Sequence, residues 1–292
     1  MAASAAAVSE ASGVGAAAAA VRAAIFKNKF LSLQGIRALR AGNIITGEKM
    51  AKIPRNPEEI FPAITEDFKG IFGKDLLALI LYGSGAAGDY IPGKSDINFL
   101  ILLTGEGMDQ LDKAFETVAR WRKRKVATPL FMTEEDMVSS LDSYPIEFLN
   151  IKANHVVVYG EDILSRISFK AYPLRLQCER ELKGKIFHLR SGFLETEGRA
   201  KPIRELIKIS LTAFISLFKA LLFLKGIDIP RGRREIIQAV AGEYSVDPAI
   251  FLTCTDIKES VDRVAASDMK AVFEAYLKEI TKLSQVVDRL DI

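Results

Sequence analysis

The chain is poor in the residues that staple small folds or ligate metals. Of 292 residues, two are cysteine, two histidine and one tryptophan. Cys178 and Cys254 cannot make a secreted disulfide framework, and no Cys/His cluster has zinc spacing. Ten prolines and twenty glycines are too few for a collagen-like or low-complexity chain. Neither charge sign dominates: 40 basic and 37 acidic residues leave a net charge of +3. The most apolar stretch, Ile207 to Leu224, is only about 18 residues long and contains Lys219, Ser210, Thr212 and Ser216. It reads as a buried core helix rather than a membrane span. What is present is ordinary globular composition, 49% hydrophobic and 26% charged, enough for one large domain or two of common size.

Residues 1–24 hold thirteen alanines and no aromatic side chain, so they have little to bury. Residues 1–49 carry six basic and two acidic residues, a net +4 that exceeds the charge of the whole chain. A transit peptide has this composition, but a second explanation is preferred. Gly47-Glu48-Lys49 is encoded by GGN-GAR-AAR, a purine-rich stretch of the kind that precedes a bacterial start codon, and Met50 follows it. Residues 1–49 are therefore expected to be a disordered or non-native extension, and the protein to be cytoplasmic.

After Met50 the pattern is mixed. Asn56-Pro57-Glu58-Glu59 reads as a helix start, with Asn at the cap and Pro at the first position. Ile60, Ile64 and Phe68 recur every four residues, and Gly70 and Gly73 are expected to end that helix. Leu76–Tyr82 and Ile97–Leu103 are short unbroken apolar runs that suit strands covered on both faces. A polar helix is expected over 107–124 and a strand over Val126–Met132. A helix opens at Tyr144-Pro145, and a strand at Val156–Gly160. Beyond about 165 only helices are expected, near 173–195, 202–225, 232–242, 247–253 and 268–290, packed as a bundle. The expected fold class is an α+β domain over 50–165, with a short mixed sheet and helices, followed by an all-α helical bundle over 166–292.

Between the first two apolar runs lies Gly83-Ser84-Gly85-Ala86-Ala87-Gly88-Asp89-Tyr90-Ile91-Pro92-Gly93-Lys94-Ser95, and then Asp96-Ile97-Asn98. Small residues after a strand let backbone amides approach a phosphate. Alternate positions 96 and 98 project to one face, where oxygen ligands suit Mg²⁺ bridging a triphosphate.

Leu81-Tyr82-Gly83-Ser84, Gly88-Asp89, Pro92 and Ser95-Asp96-Ile97 together resemble the nucleotidyltransferase superfamily, the polymerase-beta-like fold, in its minimal and aminoglycoside-modifying members. The resemblance covers about 75–103 and extends to about 165. It implies that Gly83, Ser84 and Ser95 bind the nucleotide. It implies that Asp96 holds the metal, with Asp96 and Asn98 as the catalytic pair, on a nucleoside triphosphate partner lying between the two domains.

The chain departs from that family's pattern. Asn98 stands where the family has a second metal-binding Asp. A unit charge about 4 Å from another is worth about 4 kcal/mol of gross attraction at an effective dielectric of 20, so Mg²⁺ is expected to be weak or absent. The strand Val126–Met132 has no acid for the third carboxylate; Glu134, Glu135 and Asp136 follow late, and Glu147 is a distant reserve. Gly85 and Ala87 replace the basic loop residues.

Other candidates have plainer readings. Asp89 is taken as a loop cap rather than a metal ligand. The run Arg120-Trp121-Arg122-Lys123-Arg124-Lys125 is read as a basic helix end rather than a phosphate grip with a stacking Trp121. Arg231-Gly232-Arg233-Arg234 is as much surface charge as anion clamp. His155 and His188 are far apart in sequence and are expected to be satisfied or surface histidines, Arg180 and His188 are too far apart for a helical ribonuclease motif, and the cysteines read as small apolar residues.

Three functions follow: a triphosphate-binding protein of this superfamily with doubtful transfer, an active Mg²⁺-dependent nucleotidyltransferase moving NMP to a hydroxyl acceptor, and an antitoxin-like regulatory partner. Residues 50–292 carry a net −1, which gives nucleic acid no support. Charge is unevenly placed: −6 over 50–165, +9 over 166–242 and −4 over 243–292, so a basic patch is expected beside Gly83-Ser84. Intact-mass measurement of the native protein should give a chain beginning at Met50; recovery of residues 1–49 would overturn that start.

Overall fold

The computed structural model describes residues 52–261 and 264–291. The extension 1–49 and the boundary at Met50 lie outside the described residues. The chain divides into two compact units, one running to Leu141 and including Asn150–Ser168, the other made of Asp142–Leu149 and the chain from Phe169 onward.

The first unit is α+β. A 3₁₀ turn, Pro57–Ile60, leads into α1 (Phe61–Phe72). Pro57 takes the first position as expected, but Asn56 makes no side-chain cap. The Glu59 carboxylate instead accepts the Arg55 N–H at 3.3 Å. Ile64, Phe68 and Phe72 form the buried stripe of α1, and the helix passes through Gly70 to end at Gly73, whose φ is 53°. The strands are β1 (Leu76–Tyr82), β2 (Asn98–Leu103), β3 (Leu130–Met132) and β4 (His155–Gly160). Their order is β3-β2-β1-β4; β1 is antiparallel to β2 and β4, and β2 is parallel to β3. Leu79, Leu81, Phe99, Ile101 and Leu103 share a fully buried core with Ile60, Ile64 and Phe68. Each such side chain contributes about 2 kcal/mol by leaving water, so this face carries the unit.

Two expectations fail here. The helix expected over 107–124 is broken into a helical turn Gly105–Met108, a 3₁₀ turn Leu111–Ala114 and α2 (Phe115–Arg122). Thr104 caps the first turn, and Gly107 is pressed so closely on Asp75 and Leu103 that an added Cβ would sit 3.0 and 3.1 Å from their Cβ atoms. The chain is thus pinned to the sheet end before a continuous helix can start. The strand expected from Val126 is also shortened. Val126 makes one isolated bridge to Ile97, and the ladder resumes only at Leu130. Pro129 lies between them and has no N–H to give a ladder.

Next come α3 (Glu134–Ser139), closed by a Thr133–Asp136 capping box, and α4 (Pro145–Ala153). The second unit adds α5 (Ala171–Glu195), α6 (Ala200–Leu224), α7 (Arg233–Tyr244), α8 (Pro248–Glu259) and α9 (Met269–Asp288). Helix α6 packs against the other four. Phe214, Phe218, Phe251 and Tyr276 meet edge-on or tilted around it, with ring centroids 5.3–6.4 Å apart. Tyr244 donates to the Leu221 carbonyl at 2.8 Å, and the Ser210 and Tyr276 hydroxyls pair at 3.2 Å, so the polar atoms of this core are satisfied. Helix α6 is long and apolar enough to cross a membrane; 56% of its most apolar window is buried in the structure. Helix α8 outruns the expected 247–253, continuing through the buried Cys254 and Ile257, while Thr253 and Thr255 donate their hydroxyls to the carbonyls of Ala249 and Phe251.

Gly160 ends β4 at φ 82°, and a Cβ there would sit 2.0 Å from the Leu77 carbonyl oxygen. Gly160→Ala should therefore cost about 2–4 kcal/mol in urea unfolding, from combined clash and backbone strain.

Candidate functional site

The β1–β2 register pairs Tyr82 with Asn98 and so returns the chain to where the connector began. Gly83 leaves β1 at φ 75°, ψ −146°, a conformation that L side chains rarely adopt. A helical turn, Ser84–Ala87, follows. The Ala86 and Ala87 amides both donate to the Gly83 carbonyl, at 3.1 and 2.9 Å. The Ser84 and Gly85 amides have no acceptor among the described residues. Gly85 is buried against Leu81 and Pro57, where a Cβ would be 3.2 and 3.4 Å away. Gly88, at φ 80°, turns the chain out again, and the Asp89 N–H donates to the Ser84 carbonyl.

At the far end of the connector the Ser95 hydroxyl accepts the Ile91 N–H at 3.1 Å, while the Ser95 N–H donates to the Ile91 carbonyl at 2.9 Å. Ser95 thus closes its own loop. The Asp96 carboxylate is exposed and has no hydrogen bond or ion pair among the described residues. Asn98 is half-buried and donates its amide to the Asp96 carbonyl at 3.4 Å. Burial, then the charges of Glu59 and Asp96, raise the Tyr90 phenol above its usual range, and its hydroxyl donates to the Pro54 carbonyl.

Tyr82, which the motif includes without a role, stands between Asn98 and His155 on one rung of the sheet. Burial pushes its phenol up to about 12. His155 does have partners: Nδ1 lies 2.9 Å from the Lys152 carbonyl and Nε2 lies 3.1 Å from Asp162 Oδ1. Its ring is clasped in place. The Lys152 ammonium in turn donates to the Ser165 and Ile167 carbonyls.

A resident divalent cation needs several converging oxygen ligands. Among the described residues no three of His, Cys, Asp and Glu converge on one point. Asp96 offers a single carboxylate, and its neighbour Asn98 brings no charge.

The remaining candidates are placed as follows. Asp89 forms no side-chain loop cap among the described residues; only its backbone N–H is bonded. Asp136 belongs to the α3 capping box, and Glu134 and Glu135 are exposed beside it. Glu147 is buried in the second unit and accepts Gln177 Nε2 at 2.6 Å. Burial raises its carboxyl above the usual range. Trp121 is no stacking platform: it is 3% exposed, and its indole N–H donates to Asp67 at 2.8 Å. Arg120 joins the same carboxylate at 2.7 Å, and Arg124 lies over the indole ring. Arg233 and Arg234 are paired with Glu259 and Asp256, tying α7 to α8 rather than leaving an anion clamp. His188 is exposed on α5; Cys178 and Cys254 are buried, and burial raises both thiols.

No family model matches the chain, and no curated protein matches it. Among solved structures it is similar to the spectinomycin adenyltransferase AAD(9) from Enterococcus faecialis with ATP and spectinomycin. The two share 14% identity over 80% of this chain and 100% of that one, with a TM-score of 0.44. At that identity and score the likeness does not define a family.

Two outcomes test this placement. Trp121, the single tryptophan, should emit at the short wavelengths of a buried indole and resist acrylamide quenching; strong quenching would mean an exposed ring. Glu147 should make stability fall as pH rises from the unfolded carboxyl's range through its raised folded value, since the folded state holds the proton longer. Glu147→Gln should remove that component from a series of urea midpoints against pH.

Proposed function

We propose that the chain is a nucleotidyltransferase-superfamily protein that binds a nucleoside triphosphate at the Gly83-Ser84 turn and has lost metal-dependent transfer. One observation carries this reading: the left-handed exit at Gly83 leaves the Ser84 and Gly85 amides without acceptors among the described residues, at the strand end that pairs with Asn98. Two adjacent free amides in a turn form a concavity for a phosphate oxygen. In-line phosphoryl transfer depends on positioning and on cations that neutralise developing charge. Asp96 with Asn98 supplies too few anionic ligands to hold such a cation on its own. In this reading Asp96 and Asn98 orient the ligand, Ser84 offers a hydroxyl to phosphate, and Ser95 acts by keeping the loop closed. The partner is the triphosphate, held by backbone donors rather than through a resident metal.

The test is equilibrium binding of a fluorescent ATP analogue with Mg²⁺ or with EDTA. Binding should change by no more than about threefold between the two, and Gly83→Val should abolish it by forcing the chain out of its left-handed exit. Asn98→Asp should introduce Mg²⁺-dependent tightening, because it adds a second carboxylate on the face of Asp96. Wild-type binding that disappears in EDTA would overturn the metal-independent reading.

A further inference from the structure

The cationic run 120–125 does not end where its helix ends. Helix α2 stops at Arg122, and the chain then turns to run beside the candidate site. The Lys125 carbonyl accepts the Ile97 N–H at 2.9 Å, and the Ala127 N–H donates to the Ile97 carbonyl at 2.9 Å. Lys125 is therefore stitched to the peptide that joins Asp96 to Ile97. Its φ is 67°, a left-handed conformation in which a lysine is disfavoured and glycine or asparagine is the usual choice. A strained residue next to a site is a reason to ask what its side chain does.

The structure has already used part of the run. Arg120 is bound to Asp67, and Arg124 is bound to the Lys52 carbonyl over the Trp121 ring. The side chains of Arg122 and Lys125 are exposed and have no partner among the described residues. On the other side of Asp96, Lys94 is likewise exposed and without a side-chain partner among the described residues. The Ser95–Ile91 bonds fix the loop that carries it. Two lysines thus flank one unpaired aspartate in the sequence and the sheet register, a net positive pair at the place where the fold lacks anionic metal ligands.

We propose that Lys125, with Lys94, binds the β- and γ-phosphates of the triphosphate, supplying by ammonium charge what a metal would otherwise neutralise. Resting on the reading of Gly83-Ser84 as the phosphate turn, it assigns the tail of the ligand to a second element. Ammonium groups bind phosphate as point charges, so affinity should rise with phosphate number and fall with salt.

Binding of ATP, ADP and AMP to the whole chain in EDTA, at low and high salt, tests the assignment. Wild type should prefer ATP over AMP, and Lys125→Ala should weaken ATP about tenfold while leaving AMP within about twofold. Lys125→Gly removes the same charge but relieves the backbone, so it should fold at least as stably and lose the same ATP affinity; Lys125→Arg should keep most of it. Lys94→Ala should show a smaller loss of the same kind. If wild type binds ATP and Gly83→Val abolishes binding, yet both Lys125→Ala and Lys125→Gly bind ATP normally, the assignment to Lys125 is wrong and the turn reading stands. Equal losses for ATP and AMP also overturn it. If wild type binds none of the three nucleotides at millimolar concentration, both readings fall together.

Discussion

The pairing of β1 with β2 governs the chemistry-bearing part of this protein. Their antiparallel register runs from Leu76↔Leu103 to Tyr82↔Asn98 and is enforced by a face of buried aliphatic side chains. A slip of one residue in β1 would turn Leu79 and Leu81 off the face they share with Ile60, Ile64 and Phe68. Hydrophobic burial therefore fixes the position of polar residues that contribute little to it. Gly83 lies close to Asn98, with room for only 3.4 Å between a hypothetical Cβ and the Asn98 amide nitrogen, because the ladder below them is locked.

Around that ladder, charged and polar groups close the edges. Asp67 on α1 takes both Trp121 and Arg120 from α2, so one carboxylate anchors the helix whose end delivers Lys125 to the site edge. At the opposite edge, Lys152, His155, Asp162 and the Ser165 and Ile167 carbonyls clasp the strand beside Tyr82. These bonds hold backbone and ring positions. They leave the phenol of Tyr82 on that rung, and the exposed carboxylate of Asp96 two residues before Asn98, without a partner among the described residues.

How much of this is legible in the sequence depends on range. Unbroken apolar runs are local signals, and Leu76–Tyr82 and Val156–Gly160 match strands to within a residue. The long helices are legible for the same reason, through their periodic burial. The broken segment 105–122 was not, because the interruption comes from Gly107 lying against Asp75 and Leu103, a contact that no periodicity records. His155 seemed alone because its carboxylate lies beyond a strand and a turn, at Asp162. Glu147 pairs with Gln177 thirty residues on, within the helical unit, a contact that no local pattern records. The Gly-Ser…Ser-Asp-Ile-Asn spacing spans the connector from the end of β1 to the start of β2. It did not reveal that Ser95 spends its hydroxyl on Ile91, nor that Tyr82 shares the rung.

Charge separates structural from available groups more sharply than motif does. Six neighbouring residues, 120–125, look like one basic patch, yet a carboxylate, an indole ring and a carbonyl oxygen engage Arg120 and Arg124. Arg233 and Arg234 are neutralised in the same way by α8. A cation already paired offers little to an incoming anion, since binding would have to break the first contact or tolerate a nearby like-charged carboxylate. The cations that matter for an anionic ligand are then the ones the fold leaves unpaired. In the first unit, Lys94, two residues before Asp96, and Lys125, whose carbonyl accepts the Ile97 N–H, meet that condition on either side of Asp96.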